Sequence, residues 1–107
     1  MWVFCKSGFF SAVAHDSLPD TIHVRSRFKG DLDRLCKNHG ISKEIHYTPE
    51  ADYPFRMNFK RDVWKMIMEE ECDGIDYPNF KNSMRDGTDR DAAYLGVWTV
   101  LRRYEYR

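Results

Sequence analysis

Residues 22–28 alternate in a strict two-residue period, with Ile, Val, Ser and Phe at one set of positions and His, Arg and Arg between them. Residues 55–60, Phe-Arg-Met-Asn-Phe-Lys, show the same period. Successive side chains of a β-strand point to opposite faces of its sheet, so this pattern fits a strand that is buried on one side only. The two segments therefore predict a sheet with one packed face and one polar face.

Weaker patterns place the remaining elements around these two strands. Apolar or alternating runs predict strands at residues 2–5, 9–15 and 43–48, the first two joined by a turn at Lys6-Ser7-Gly8. Amphipathic spacing predicts a helix from Gly30 to His39 and further helices over the last third of the chain. The predicted order is β-β-β-α-β-β-α-α. We expect an α+β two-layer sandwich, ferredoxin-like or related, with an antiparallel sheet and helices on one face.

Length and composition favour one folded domain over residues 1–107. Hydrophobic residues make up 42% of the 107 positions and aromatic residues 15%, enough for a packed core. The 17 basic residues balance 17 acidic ones, so total charge gives no argument for nucleic-acid binding. Any such argument must come from how the charges are distributed.

The three cysteines predict neither a disulfide framework nor a zinc site. Cys5, Cys36 and Cys72 are odd in number and contain no CxxC pair, so we expect free, buried thiols in a reducing compartment. The N-terminus lacks a basic leader, and no apolar run approaches the roughly 20 residues that span a bilayer. We therefore expect a cytoplasmic protein that does not enter a membrane.

Basic side chains concentrate on the polar face of the predicted sheet. Such a face favours phosphate groups of nucleic acids or nucleotides, and an aromatic ring on it could stack a base. The alternative is a solvated face on which Glu44 and aspartates neutralise the bases. The candidate binding residues are His23, Arg25, Arg27, Arg56 and Lys60, with Phe9 as the candidate stacking ring.

Two histidines open an enzymatic alternative. His15-Asp16-Ser17 and His46-Tyr47-Thr48 have the His-x-Ser and His-x-Thr forms of two-histidine phosphoesterases, with each His as acid or base and each hydroxyl on phosphate. Asp16 occupies a position that is usually apolar in that pattern. We therefore expect binding rather than catalysis, and His15, His46 and Thr48 are kept as catalytic candidates.

The acidic clusters and the tryptophans have simpler interpretations. Residues 69–73 hold four acids, which we read as a solvated helix end or an acidic docking surface. Asp86, Asp89 and Asp91 do not match a calcium loop, and helix capping explains them better. We expect no metal and no cofactor. The aromatic residues Trp2, Trp64 and Trp98 are read as core, and Tyr53-Pro54 and Tyr77-Pro78 as turns.

Several short sequence motifs are similar to those of a group of short bacterial and phage proteins. They are Met1-Trp2-x-Phe4, Gly8-Phe9-Phe10-Ser11 with His15, Val24-Arg25-x-Arg27, Asp52-Tyr53-x-x-Arg56, Ile75-Asp76-Tyr77-x-Asn79-Phe80-Lys81 and Ala93-Tyr94-x-x-Val97-Trp98. The resemblance implies a compact domain of this length with a native N-terminus. It brings no assigned activity, so no catalytic residue is carried over. Its phage members favour an accessory or host-directed factor.

Three functions follow as hypotheses. The first is a non-enzymatic module that binds nucleic acid or nucleotide phosphates through the basic sheet face. The second is a protein-interaction or inhibitor domain, for example of an anti-defence type, that binds a host protein. The third is a small two-histidine phosphoesterase. The sequence does not specify an oligomeric state.

Overall fold

A computed structural model describes residues 1–105 of the chain, which forms two compact units. The first unit, Met1–Ile75, contains every strand and two helices, and the second begins at Asp76 and contains two helices. The prediction of one domain over residues 1–107 stays a prediction.

The first unit is built on a five-stranded antiparallel sheet with the strand order β1-β2-β3-β5-β4. Its strands are β1 (Trp2–Cys5), β2 (Gly8–Ala14), β3 (Thr21–Ser26), β4 (His46–Tyr47) and β5 (Phe55–Lys60). The helices of the chain are α1 (Lys29–Asn38), α2 (Arg61–Asp73), α3 (Phe80–Ser83) and α4 (Asp89–Arg102).

This architecture confirms the predicted α+β class and two-layer arrangement. Its connectivity differs from the ferredoxin-like order β-α-β-β-α-β, because three strands follow one another before α1. The structure also adds one helix to the predicted order, since α3 and α4 are separate elements after α2. The strand β5 lies between β3 and β4, which places the two strands with the clearest alternation side by side at the centre of the sheet.

The core lies between the sheet and helices α1 and α2. Val24 on β3 is paired with Met57 on β5, and neither side chain is accessible to solvent. Leu35 of α1 and Ile67 of α2 are equally inaccessible and belong to the same hydrophobic cluster. Each such side chain contributes about 1.5–3 kcal/mol when buried. The alternation of β3 and β5 therefore directs their other side chains to the opposite face.

The predicted strand at residues 43–48 is reduced to two residues, His46–Tyr47. Lys43 reaches β5 with its side chain instead of its backbone, since its Nζ donates to the carbonyl oxygen of Asn58. Tyr47 stacks on Phe55 with 5.0 Å between ring centroids but stays 63% exposed, so only Ile45 of the predicted strand packs against the core.

The strand β3 ends at Ser26, so the expected strand positions of Arg27 and Phe28 were wrong. Ser26 Oγ donates to the carbonyl of Phe28 at 2.7 Å, which turns the chain into α1. Phe28 becomes the N-cap residue of α1 and is 53% exposed rather than buried.

The acidic C-terminal end of α2, with Glu70 and Glu71, forms hydrogen bonds with His39 at the end of α1. His39 follows α1, and its ring lies 2.9 Å from Glu70 Oε1 on one side and 2.9 Å from Glu71 Oε1 on the other. Ser7, which is fully buried in the turn after β1, donates to Glu71 and accepts from Asn38 at 3.0 Å. Two of the four acids therefore have a structural role, whereas Glu69 and Asp73 are exposed as expected.

The second unit confirms the capping interpretation of its aspartates. Thr88 is the N-cap of α4, and buried Asp91 accepts from the backbone N–H of Gly87 at 3.1 Å. Phe80 of α3 stacks on Tyr94 of α4 with 5.8 Å between centroids. Trp98 is 43% exposed, so its assignment to a core was wrong. The longest helix among residues 1–105 has 14 residues, and none has the length and apolar character of a membrane span.

Candidate anion-binding face

One row of cross-strand neighbours crosses the sheet on the side facing away from α1 and α2. Register places Ser11 of β2 opposite Arg25 of β3, Arg25 opposite Arg56 of β5, and Arg56 opposite His46 of β4. We call this side of the sheet the basic face. It carries Trp2, Phe4, Phe9, Ser11, Val13, His23, Arg25, His46, Arg56, Asn58 and Lys60.

Arg25 and Arg56 are held in place by neutral groups. Arg25 Nη2 donates to Ser11 Oγ at 2.8 Å, and Arg56 Nε donates to the carbonyl of Tyr53 at 3.0 Å. The Nε atom of Arg25 is buried and has no acceptor among the described residues. Buried N–H groups without an acceptor are uncommon in folded proteins. Both guanidinium groups thus keep donors available for a further acceptor.

Tyr53 folds back from the loop between β4 and β5 onto the basic face. Its ring centroid lies 4.8 Å from Arg25 Cζ and 4.5 Å from Arg27 Cζ, and only 5% of the residue is exposed. Arg27 also donates to the carbonyl of Asp52 at 2.9 Å. Arg27 therefore joins the arginine cluster through this loop and not through a strand position.

No carboxylate within residues 1–105 forms an ion pair with Arg25, Arg27, Arg56 or Lys60. Elsewhere in the chain such pairs are common, as between Lys29 and Asp33 at 3.1 Å. The alternative in which Glu44 or aspartates neutralise this face is not observed for these residues. These four basic side chains are therefore not compensated by a direct ion pair within the described residues.

His23 lies beside the arginine pair with its tautomer fixed. Its Nδ1 is 2.7 Å from Asn58 Oδ1, and because an amide oxygen only accepts, Nδ1–H is the donor. Burial lowers the pKa of His23, and Arg56 and Arg25 lower it further, against the opposite effect of the Asn58 hydrogen bond. His23 is therefore neutral at pH 7 and leaves Nε2 as an acceptor.

An open depression of about 360 Å³ lies on this part of the basic face. Arg25 and Arg56 contribute to its lining together with both His23 and His15. The remaining lining residues are Val13, Ala14 and Asp16. The depression therefore combines two guanidinium groups and two imidazole rings with one carboxylate, that of Asp16, which lies 3.3 Å from His15 Nδ1.

The structure pairs His15 with His23 and not with His46. The rings of His15 and His23 are 5.5 Å apart, and His15 Nδ1 accepts from the backbone N–H groups of Ser17 and Leu18 at 3.1 and 3.0 Å. His15 follows β2, which three strand spacings of about 4.8 Å each separate from His46 on β4. The facing arrangement that a two-histidine phosphoesterase needs is therefore not formed by His15 and His46.

The other predicted site residues lie at the margins of the face. Thr48 follows β4, and its backbone N–H donates to the carbonyl of Pro54 at 2.7 Å. Lys60 is exposed at the end of β5, outside the depression. Phe9 does share the basic face, where it is half-buried.

Aromatic side chains occupy the β1–β2 end of the basic face. Phe4 stacks on Phe9 with 4.4 Å between centroids, and Trp2 meets Phe9 edge-on at 5.8 Å. Trp2 is 69% exposed, so its assignment to the core was wrong. The error follows from its place on edge strand β1, whose outer face no sequence period identified.

No group of acids, cysteines and histidines within residues 1–105 is arranged to hold a metal ion. No family model matches the chain, and no curated protein or solved structure is significantly similar to it. The resemblance to short bacterial and phage proteins therefore stays an expectation, and function has to be inferred from the basic face.

Proposed function

We propose that this chain is a non-enzymatic binding module that holds phosphate groups of a nucleic acid or nucleotide on its basic face. The observation that carries the proposal is the direct pairing of Arg25 with Arg56 and the absence of a carboxylate partner for either among the described residues. Like charges directly opposite one another on adjacent strands destabilise a sheet. A bound anion removes that cost.

Phosphate fits this site better than a simple counterion does. Arginine donates parallel hydrogen bonds to phosphate oxygens, and such charge-assisted bonds are roughly twice as strong as neutral ones. The depression beside Arg25 and Arg56 has room for a phosphate group. The His23 ring is neutral, so its acceptor edge at Nε2 is the only part of it that repels the phosphate oxygens.

The cellular setting belongs to the same proposal. All three cysteines are free thiols, which suits a reducing compartment, and we place the protein in the cytoplasm. The resemblance to phage proteins favours an accessory or host-directed role for the bound nucleic acid.

A charge-matched pair of variants tests the proposal. Fluorescence anisotropy with labelled short RNA and DNA would be measured at two salt concentrations for Arg25→Gln plus Arg56→Gln. The control is Lys29→Gln plus Lys37→Gln, which removes the same charge from exposed positions of α1, on the opposite layer. We expect the arginine variant alone to weaken binding and to reduce the slope of log K against log salt by about 1.4, or about 0.7 for each lost contact with a single strand.

Equal losses in the two double variants would show that only net charge matters and would contradict a site at the arginine pair. Absence of RNA and DNA binding by the unmodified protein would remove the proposal. Affinity purification of the protein from its native host would then test the alternative of a protein-interaction domain.

A further inference from the structure

Three aromatic side chains form a continuous group at one end of the basic face. We call Trp2, Phe4 and Phe9 the aromatic ledge. Phe9 lies at its centre, and its ring contacts the rings of both Trp2 and Phe4. Tyr53 extends the group towards the arginines, with its ring centroid 6.3 Å from that of Phe9. The ledge and the arginine pair therefore form one surface.

The exposure of the ledge is unusual at its outer end. Trp2 has the largest apolar side chain of its strand, yet 69% of the residue is accessible, whereas Val3 beside it packs towards the core. A ring system of this size gains more from burial than any other side chain. An exposed indole next to further aromatic rings marks a surface for contacts.

Register fixes how far the ledge is from the phosphate site. Trp2 is paired with Ser11, and Ser11 is paired with Arg25 and accepts a hydrogen bond from it. Two strand spacings, about 10 Å, therefore separate Trp2 from Arg25 across the sheet. An extended nucleotide can bridge this separation between its base and a neighbouring phosphate.

The geometry points to a single-stranded ligand. In a duplex the base faces are stacked on one another and are not available to a protein ring, whereas the bases of a single strand can stack on aromatic side chains. We infer that the aromatic ledge stacks the bases of a single-stranded nucleic acid whose phosphates lie on Arg25 and Arg56. This inference rests on the proposed function and specifies its ligand class.

The test compares ligands that differ only in their bases. Labelled single-stranded oligonucleotides, abasic oligonucleotides of the same length and the corresponding duplexes would be titrated with the unmodified protein, Trp2→Ala and Trp2→Phe. Trp98→Ala, which removes a partly exposed tryptophan of the second unit, is the control. Because Trp2 is exposed, its replacement leaves the core intact, and circular dichroism checks this.

We expect Trp2→Ala to weaken binding of the single strand by about 5- to 160-fold and to leave abasic binding unchanged. Trp2→Phe should recover most of the loss, since phenylalanine also stacks. With Trp98 replaced by Phe in both proteins, quenching of tryptophan fluorescence by the single strand should disappear in Trp2→Phe, because the remaining Trp64 is buried.

Two outcomes separate this inference from the proposed function. Equal affinities of the unmodified protein for abasic and ordinary strands, or tighter binding of duplex, would overturn base stacking while phosphate binding stands. Loss of all binding in Arg25→Gln plus Arg56→Gln, with Trp2→Ala unaffected for every ligand, would also overturn it. Absence of binding to every ligand would remove both.

Discussion

The ring of Tyr53 lies 4.8 Å from the guanidinium carbon of Arg25, and its backbone carbonyl accepts a hydrogen bond from Arg56 Nε at 3.0 Å. One loop residue thus contacts the central arginines of two adjacent strands. Ordering a long side chain costs up to about 2 kcal/mol, so arginines that are already positioned bind a ligand at lower entropic cost. Tyr53 is therefore a positioning residue of the proposed site.

Replacement of Tyr53 by leucine should weaken phosphate binding without unfolding the protein. Leucine fills part of the buried volume but removes the cation–π contacts with Arg25 and Arg27, each worth about 0.5–2 kcal/mol. We expect several-fold weaker binding of a short oligonucleotide, measured by anisotropy, and nearly normal binding by Tyr53→Phe. Equal affinity of the leucine variant and the unmodified protein would show that the ring does not position the arginines.

Binding should become tighter as the pH falls through the pKa of His23. That pKa is lowered from 6.5, first by burial and then by Arg56 and Arg25, so the ring is neutral near pH 7 and gains a positive charge only in acid. A phosphodiester keeps its charge over this range, and a bound phosphate favours the protonated ring. Affinity measured from pH 8 to pH 5 should rise for the unmodified protein.

In a His15→Gln background, which removes the other imidazole of the depression, His23→Gln should make the rise much smaller, since glutamine does not titrate. His46→Gln is the matched control, because His46 is exposed at the far end of the same row. An unchanged pH dependence in His23→Gln would contradict a phosphate placed beside this ring.

Local periodicity was enough to predict the centre of the fold and of the candidate site. Alternation in β3 and β5 assigned Val24 and Met57 to the core and Arg25 and Arg56 to the other face, as observed. The alternation of side chains along a strand follows from the backbone alone. Once one set of side chains is buried, the other set must point to the opposite face of the sheet.

The parts that the sequence did not predict depend on contacts between distant segments. Tyr53 lies in a turn whose residue types indicate a bend but not the direction in which it packs. Trp2 was assigned to the core because hydrophobic character does not reveal whether a strand lies at an edge. Arg27 lies after the end of β3 and joins the arginine cluster through its contact with the ring of Tyr53, not through a strand position.

A methyl group at Gly8 should destabilise the first unit strongly. A Cβ atom there would lie 2.5 Å from Asp31 Cγ, and Asp31 is buried, accepts from the backbone N–H of Phe9 at 3.2 Å and pairs with Arg34. Gly8→Ala therefore has to displace a buried carboxylate from its partners. We expect the free energy of unfolding, measured with urea, to fall by about 2–4 kcal/mol.

Gly40→Ala provides the comparison, because Gly40 has φ +65° and no atom within 4 Å of its added Cβ. It should cost about 1–2 kcal/mol from backbone strain alone. A smaller loss for Gly8→Ala than for Gly40→Ala would mean that Asp31 moves aside without consequence.

The three thiols should differ widely in reactivity, contrary to the expectation that all are buried. Burial raises the pKa of Cys5 to about 11, with a further contribution from Glu71, and burial also raises the pKa of Cys36. Cys72 is exposed. Only the thiolate is reactive, so a disulfide reagent at pH 8 should modify Cys72 first and Cys5 only as fast as the protein unfolds. Rapid modification that persists in Cys72→Ser would contradict this order.

The hydrogen bonds of His39 with Glu70 and Glu71 should make the free energy of unfolding depend on pH. Burial alone would lower the pKa of His39, but hydrogen bonds to Glu71 and Glu70 outweigh it, so the pKa is raised above 6.5 in the folded protein. The protonated ring therefore stabilises the fold fully below pH 6.5, and this contribution is lost as the pH rises through the folded pKa. Urea unfolding of the unmodified protein and His39→Gln should differ by about 1–3 kcal/mol at pH 6. The difference should shrink at pH 9. The control is His46→Gln at an exposed position, which should show no such difference. A difference that grows with pH would contradict a stabilising role of the bonds from His39 to Glu70 and Glu71.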